Sequence, residues 1–432
     1  MPVLKIMSVC LKIFEMKRSS IFFWCLAIGL LAGGVSCKKE DERVATVTDP
    51  VVTDRIPTDL INLKYTVEAA SGWTQLLTRT SGWFGGDGIF SIPLSGIDSI
   101  GAGNADKTLL LFSDTQIGEI RNGILSPGWS MINNSVAIIN GNEPLPEKIN
   151  FFWNEGADYK PASVFVPDSR LSSKGDYFWL GDGFVNQELQ NETFILSYKI
   201  KKVNTTFGFA IGGSSLITIP AGSNPPFKNA QQTDAPLFVE GNKVDNGYAF
   251  GAGIFVNTAK AGAPHPDGYV YVYGVKNLPG ILNKGLMVGR VKPSDFKDFS
   301  KWHFWDGSGW LIDISNIKNA SLIADRVSDE LSVTPMPDGR YALVFQADVW
   351  GPVAIRLSAT PYGPFGPVIN VWDCKEALTG KDYYAYNAKA HPALSKPGEL
   401  LISFNVNSFN FFSDILFDPN LYRPRFIRIK FL

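Results

Sequence analysis

Cysteine, histidine and net charge are all scarce in this sequence, and each shortage excludes a class of protein. There are four cysteines, three histidines and a formal net charge of −1. Cys10, Cys25 and Cys37 lie near the N-terminus, so only Cys374 remains for a globular part and no disulfide framework is expected. Three scattered histidines form no zinc-binding cluster. The mild, evenly spread charge gives no basic face for nucleic acid.

Helical periodicity and nucleotide-binding motifs are also missing. After Tyr65 there is almost no amphipathic helical stretch, and the chain has no Gly-x-Ser-x-Gly elbow, P-loop or dinucleotide fingerprint. Serine-hydrolase and nucleotide chemistry are therefore not indicated, and we expect no organic cofactor.

The N-terminal segment has the pattern of a secreted lipoprotein. Lys17 and Arg18 precede an apolar run over 21–32, and small residues follow up to Cys37. This order predicts a signal peptide over 1–36 and acylation of Cys37, which would anchor the protein to the outer membrane through lipid. An ordinary signal peptide with a chance cysteine is the alternative.

The residues after Cys37 predict where the protein is displayed. The charged run 38–42 resembles the export tag that sends lipoproteins of one Gram-negative phylum to the cell surface, although a solvated charge run is the alternative. Residues 37–60 are polar and contain Pro50 and Pro57, which is typical of a flexible tether. We predict a surface-exposed outer-membrane lipoprotein.

Residues 61–432 are predicted to form one all-β domain. The chain has 41 glycines, 27 prolines and 13% aromatic residues. Short alternating apolar runs recur between turn residues, which is typical of strands. The runs fall into about five groups, which favours a five-bladed β-propeller over a two-sheet sandwich, since a sandwich of this length would need two domains and no linker follows residue 60. We expect 65–77 to supply a strand that closes the ring with 425–431. The blades are predicted to start near Gly86, Asn134, Ala249, Glu330 and Asn387.

Acidic side chains at the predicted blade openings suggest glycoside chemistry. Asp87 lies between two glycines, Asp114 ends the next strand, and Glu330 opens a later blade. Two carboxylates on either side of a glycosidic bond can protonate the leaving oxygen and activate water or attack the sugar. Each residue also has a simpler explanation, namely a turn-capping aspartate, an Asx turn with Thr115, or an exposed strand end.

Further polar and aromatic residues are candidates for sugar binding. Asn134, Asp182 and His391 could bind hydroxyl groups. Flat apolar faces for a sugar ring are offered by Trp83, Trp129, Trp179, Trp350 and Tyr386. Ordinary core packing is the alternative for any single aromatic residue. No pattern predicts a metal ligand set, although the acids would tolerate a calcium or other ion in the channel.

Several pieces of the chain resemble bacterial secreted proteins classed as domains of unknown function 4185 and 5005, a group similar to the five-bladed propeller glycosidases that include arabinanases and fructosidases. The resemblance implies a hydrolase directed at furanosides, with Asp87 as nucleophile or base, Asp114 as its acidic partner and Glu330 as general acid. Asn134 departs from the arabinanase pattern, in which an acid is common in the second blade. The matching pieces are 85–94, 110–115, 133–135, 302–307, 329–333, 361–365 and 386–392.

Two functions follow from these residues. The first is a cell-surface glycoside hydrolase that acts on a furanose-containing, arabinofuranan-like polysaccharide or oligosaccharide. The second is a non-catalytic lipoprotein that binds such a glycan. A propeller that binds protein is a third alternative, and the sequence makes no prediction of oligomeric state.

Overall fold

The computed structural model describes residues 46–47, 59–156, 158–204, 208–241, 247–280 and 283–432. The predicted signal peptide over 1–36, Cys37 and nearly all of the tether over 37–60 lie outside these ranges. The described part of residues 61–432 belongs to a single compact unit that extends from Val44 to Leu432. In the described ranges no helix is both long and apolar enough to cross a membrane.

The architecture is a five-bladed β-propeller of antiparallel sheets, as the sequence predicted. In each blade the first strand lies at the central channel and the following strands lead outward. Blade one contains Phe90–Pro93, Lys107–Phe112, Ser135–Asn140 and Ile149–Phe152. Blade two contains Tyr177–Asn186, Glu192–Lys202, Phe209–Ile219 and Gln231–Ala235. Blade three contains Tyr248–Asn257, Tyr269–Asn277, Lys284–Val291, His303–Trp305 and Trp310–Ile312, with Phe238–Val239, Ala324–Asp325 and Thr46–Val47 paired to it. Blade four contains Ser332–Pro335, Tyr341–Gln346, Val353–Ser358 and Ile369–Trp372.

Blade five closes the ring with strands from both ends of the domain. It contains Tyr383–Ala390, Glu399–Ser408 and Arg425–Phe431, followed by Tyr65–Ala69 as its outer strand. Tyr65 pairs with Phe431 and Ala69 with Ile427. The predicted pairing of the N-terminal segment with 425–431 is thus confirmed for Tyr65–Ala69, whereas Ser71–Leu76 forms a short helix.

The apolar runs form strands because both faces of each sheet are buried between blades. In the second strand of blade one, Leu109 and Leu111 pack in one cluster with Phe178 of blade two. Leu110 and Phe112 point the other way and pack with Phe426 of blade five. Five such apolar clusters fill the spaces between neighbouring blades. The alternation of strand side chains therefore builds the ring.

The predicted opening of a second blade at Asn134 is wrong. Ser135–Asn140 is the third strand of blade one, and blade two begins at Tyr177. The spacing was misleading because blade one carries an added sheet of Ser81–Gly86, Thr115–Arg121, Ile124–Leu125 and Ser130–Ile132. The hairpin Asn154–Glu155 with Pro161–Ala162 follows it.

Helical segments are short and lie in the connections. Among the residues that the structure describes, one α-helical turn accompanies Ser71–Leu76, namely Phe411–Asp414. The 3₁₀ turns are Ala102–Ala105, Pro146–Lys148, Pro293–Asp295, Phe299–Lys301, Ile314–Asn319 and Lys375–Ala377.

Candidate active site

Asp87 and Asp114 lie side by side where two paired strands separate. The backbone N–H of Asp87 donates to the carbonyl of Asp114 (3.2 Å), and the N–H of Ser113 donates to the carbonyl of Asp87 (2.9 Å). Gly88 follows with φ +85°, and a Cβ atom there would lie 3.0 Å from the Ser113 nitrogen. Glycine at this position therefore lets the chain turn tightly into the first strand of blade one.

The Asp87 carboxylate is buried against two tyrosines. The Tyr386 hydroxyl donates to its Oδ2 atom at 2.7 Å. Burial raises the pKa of Asp87, whereas interactions with the hydroxyls of Tyr422 and Tyr386 and with the charge of Lys389 oppose that rise. The buried Oδ1 atom accepts no hydrogen bond from the described residues. Tyr386 thus fixes one oxygen, and the Tyr422 hydroxyl also lies near the carboxylate.

Asp114 is the acid of this pair that more readily holds a proton. Burial raises its pKa to about 7, the charge of Asp87 adds to the rise, and interactions with Asn133 and Trp179 reduce it. The Asn133 amide donates to Asp114 Oδ1 at 3.1 Å. Like charges in a buried site push two pKa values apart, so Asp87 can remain a carboxylate while Asp114 is neutral.

Glu330 reaches the same site from the opening of blade four, through Lys389 of blade five. The Lys389 ammonium contacts both the Glu330 carboxylate and the Gly88 carbonyl, and lies 4.5 Å from the centre of the Phe90 ring. Burial raises the pKa of Glu330 to about 7; Lys389 lowers it and Asp87 raises it. The structure therefore brings together the three acids that the sequence singled out as catalytic candidates.

A β-bulge directs Lys389 into the site. Pairing between the first two strands of blade five shifts register between Tyr386 and Lys389, and Asn387 has φ +56°. An extra residue in one strand re-aims the side chains that follow it. Sequence reasoning missed Lys389, although a lysine between Ala388 and Ala390 in an apolar strand is an available signal.

Asp182 lines a small cavity next to Lys389. Its two oxygens accept from the backbone N–H groups of Gly183 (2.8 Å) and Ile254 (2.6 Å). Burial raises its pKa to about 7 and that of Asp98 to about 6. The two acids and Lys389 line a cavity of about 20 Å³, which is room for about one water molecule. Asp87, Asp114 and Glu330 do not line this cavity, so Asp182 is placed beside Lys389 rather than among the three acids.

Two other predicted binding residues, Trp83 and Asn134, are engaged inside the fold. Trp83 is buried and stacks on Phe151 at 4.6 Å. The fully buried Asn134 amide donates to the carbonyls of Phe165 (2.8 Å) and Phe178 (3.2 Å) and accepts from the Phe165 N–H (2.7 Å). These contacts give both side chains a structural role, and of the predicted binding residues only Tyr386 touches one of the three acids.

His391 is also held on both sides. Its Nδ1 atom shares a hydrogen bond with the Ser91 hydroxyl (2.9 Å) and its Nε2 atom with the Ser403 hydroxyl (2.8 Å). Burial, with a smaller effect of Lys389, lowers its pKa to about 3. A neutral His391 therefore joins blades one and five.

Tyr198 and Tyr422 are site residues that sequence reasoning missed. Burial raises the pKa of both, with the charge of Glu330 adding to the rise at Tyr198 and that of Asp87 at Tyr422. No motif marks either tyrosine, because each reaches the site only through blade packing. Within the described ranges, no group of three or more histidine, cysteine, aspartate or glutamate side chains could hold a metal ion.

Comparisons with known proteins identify the fold and the family. A solved structure of a candidate hydrolase from Bacteroides ovatus is 20% identical, with a TM-score of 0.64, and the match covers 87% of this chain and 97% of that chain. An α-L-arabinofuranosidase from Clostridium thermocellum is 13% identical (TM-score 0.40; 78% and 88% covered). The β-fructofuranosidase catalytic domain of Microbacterium saccharophilum is 11% identical (TM-score 0.40; 84% and 78% covered). No curated protein matches the sequence.

The first of these similarities agrees with the propeller architecture of the sheets. The profile of one protein family matches residues 71–431, a range that contains all five blades apart from the closing strand Tyr65–Ala69 and the edge pair Thr46–Val47. This chain therefore belongs to the family described as Domain of unknown function (DUF5005).

Proposed function

We propose that this protein is a glycoside hydrolase that cleaves a furanose-containing glycan by carboxylate acid/base chemistry. The observation that carries the proposal is the meeting of Asp87, Asp114 and Glu330 from distant parts of the chain in one buried site. The pKa of two of them is raised to about 7. Glycoside cleavage needs both a protonated and an ionised carboxyl group at the working pH.

Asp87 is the proposed nucleophile or base. Tyr386 donates a hydrogen bond to one of its oxygens, which fixes the orientation of the carboxylate. The charge of Lys389 favours the ionised form of Asp87. A carboxylate that is held in one orientation and kept ionised by a nearby cation suits attack at the sugar carbon.

Glu330 is the proposed general acid. A pKa of about 7 leaves it partly protonated at neutral pH. After it has given its proton to the leaving oxygen, the adjacent Lys389 ammonium stabilises the carboxylate that remains. Asp114 has a similar pKa and is the alternative proton donor. If Glu330 is the donor, the proposed role of Asp114 is to influence the ionisation of Asp87.

The furanose class rests on the resemblance to arabinanases and fructosidases. We test it with the full chain carrying Cys37→Ser, on a linear arabinan, a fructan and a galactofuranan. The proposal is supported if this protein releases sugar, Asp87→Asn does not, and the exposed control Asp373→Asn still does. Binding to one glycan without release from any would favour the non-catalytic lipoprotein instead.

Lipid anchoring and surface display are part of the same proposal. The small residues before Cys37 and the charged run after it support them. Cells fed a labelled fatty acid should label the natural protein and not the Cys37→Ser variant. Protease added to intact cells should remove the labelled protein; its survival would contradict surface display.

A further inference from the structure

Aromatic side chains flank the three acids on the same face of the propeller. The first strand of each blade begins at this face, so its antiparallel second strand returns to it and the third strand leaves from it. Trp350 lies in the turn between the second and third strands of blade four, and Phe409 follows the second strand of blade five. Phe209 begins the third strand of blade two. Topology therefore places these rings on the same face of the propeller as the acids.

The first aromatic wall consists of Trp350, Tyr384 and Phe409. Their ring centres are 4.6 Å apart for Tyr384 and Phe409, 5.0 Å for Trp350 and Phe409, and 5.2 Å for Trp350 and Tyr384. Tyr384 also lies 5.5 Å from the ring of Tyr386, which binds Asp87. Phe409 is 61% exposed and Trp350 38%. The wall thus leads from Asp87 outward to solvent.

The second aromatic wall consists of Tyr177, Trp179 and Phe209 of blade two. The ring centre of Trp179 is 6.2 Å from Tyr177 and 4.8 Å from Phe209, which is 38% exposed. The N–H of Leu180 donates to the Ser113 hydroxyl (3.0 Å). That bond fixes the start of the blade-two strand beside Asp114, so this wall leads away from the acids through another blade.

Flat apolar rings next to buried carboxylates suit a sugar chain better than an apolar peptide. A sugar ring presents C–H faces to an aromatic ring and hydroxyl groups to acids, whereas an apolar peptide would leave the acids desolvated and unpaired. Aromatic side chains on only one side of the acids would suit a glycan that binds by its chain end. Here they occur on two sides.

We infer that the substrate is an internal stretch of glycan, with sugar units bound by both aromatic walls and the cleaved linkage over the acids between them. This inference rests on the proposed function and adds to it that the protein cuts within chains and needs several sugar units for full activity. Each wall then contributes binding energy to the cleavage of a polymer, but contributes little to the cleavage of a short substrate that does not reach it.

The test compares Trp350→Ala and Phe209→Ala in the full chain carrying Cys37→Ser. The substrates are the arabinan, fructan and galactofuranan and the corresponding 4-nitrophenyl furanosides. The control is Ile124→Ala, an exposed apolar side chain in the short strand Ile124–Leu125, which pairs with the far end of Thr115–Arg121. Each wall variant should lose about tenfold in kcat/KM on the polymer, a change of ~1.4 kcal/mol. Each should stay within about twofold on the nitrophenyl furanoside, and the early products should be large fragments.

The outcomes separate this inference from the proposed function. Release of single sugars from chain ends, with equal loss on polymer and short substrate, overturns the internal-cleavage inference and leaves the hydrolase standing. If the protein binds a polymer without cleaving it, and both wall variants bind that polymer more weakly, the hydrolase is refuted. The two walls are then supported as glycan-binding surfaces. If the protein neither cleaves nor binds any of the three polymers, both the proposed function and this inference are overturned.

Discussion

Replacing Lys389 by methionine should make the stability of the protein newly sensitive to alkaline pH. The substitution keeps an unbranched apolar side chain and removes the ammonium that contacts Glu330. The two side chains are only 2% and 13% exposed, so water cannot replace that contact well. Burial raises the pKa of Glu330 from its ordinary value of 4.5 to about 7. Between those values the folded protein binds more protons than the unfolded chain. The contribution of Glu330 to stability is therefore complete below pH 4.5 and lost as the pH rises through about 7.

Without Lys389 the pKa of Glu330 moves further above 7, and the loss of stability continues beyond that pH. Each further pH unit costs ~1.4 kcal/mol until the new pKa is reached. The difference in unfolding free energy between the natural protein and Lys389→Met should therefore be nearly constant at pH 5 and 6. It should be larger at pH 9 by about 2–3 kcal/mol.

Guanidinium unfolding followed by tryptophan fluorescence at each pH from 5 to 9 measures this difference. Lys228→Met, which removes an exposed ammonium, is the matched control and should show no such trend. A difference between Lys389→Met and the natural protein that stays flat to pH 9 would refute the role of Lys389 as counter-ion to Glu330.

Three further predictions concern the site and its surroundings. Glu330→Gln should slow polysaccharide cleavage about 10²–10⁴-fold but spare an aryl furanoside with an acidic leaving phenol, which needs no proton; if Asp114→Asn alone shows that selectivity, Asp114 is the donor. Activity of the natural protein should fall as the pH rises above about 7, where Glu330 and Asp114 lose their protons, and a rate that still climbs at pH 9 would contradict this. Trp83→Ala should lower the unfolding free energy by about 3–5 kcal/mol, and Asn134→Ala should lower it by about 1–3 kcal/mol. The folded fraction of each variant should keep the KM of the natural protein. A raised KM at unchanged stability would show instead that the residue binds substrate.

The blade count could be predicted from the sequence because each blade repeats the same local signals. Apolar runs such as Leu109–Phe112 bury both faces, and turn residues separate them. The second blade opening was misplaced at Asn134 because the added sheet of blade one repeats those signals inside one blade. Pairing partners, rather than the runs themselves, distinguish the two cases, and pairing is a long-range property.

The meeting of the acids could be predicted because blade openings converge at the channel. The engagement of Trp83, Asn134 and His391 inside the fold could not, because their partners lie in other strands or blades. Lys389 was missed for the opposite reason. A lone lysine in an apolar strand looks like a solvated edge residue until the bulge beside it and the carboxylate of Glu330 are known.

The closing strand of blade five has a consequence for biosynthesis. Tyr65–Ala69 is made well before its partner Arg425–Phe431, because the other strands of the ring lie between them in the sequence. Throughout translation this early strand has exposed backbone groups that could pair with a neighbouring chain. A chain that lacks Arg425–Phe431 would form a ring that is open at one seam. Such chains should be recognised by cellular quality control, whereas a chain that contains both strands closes the ring.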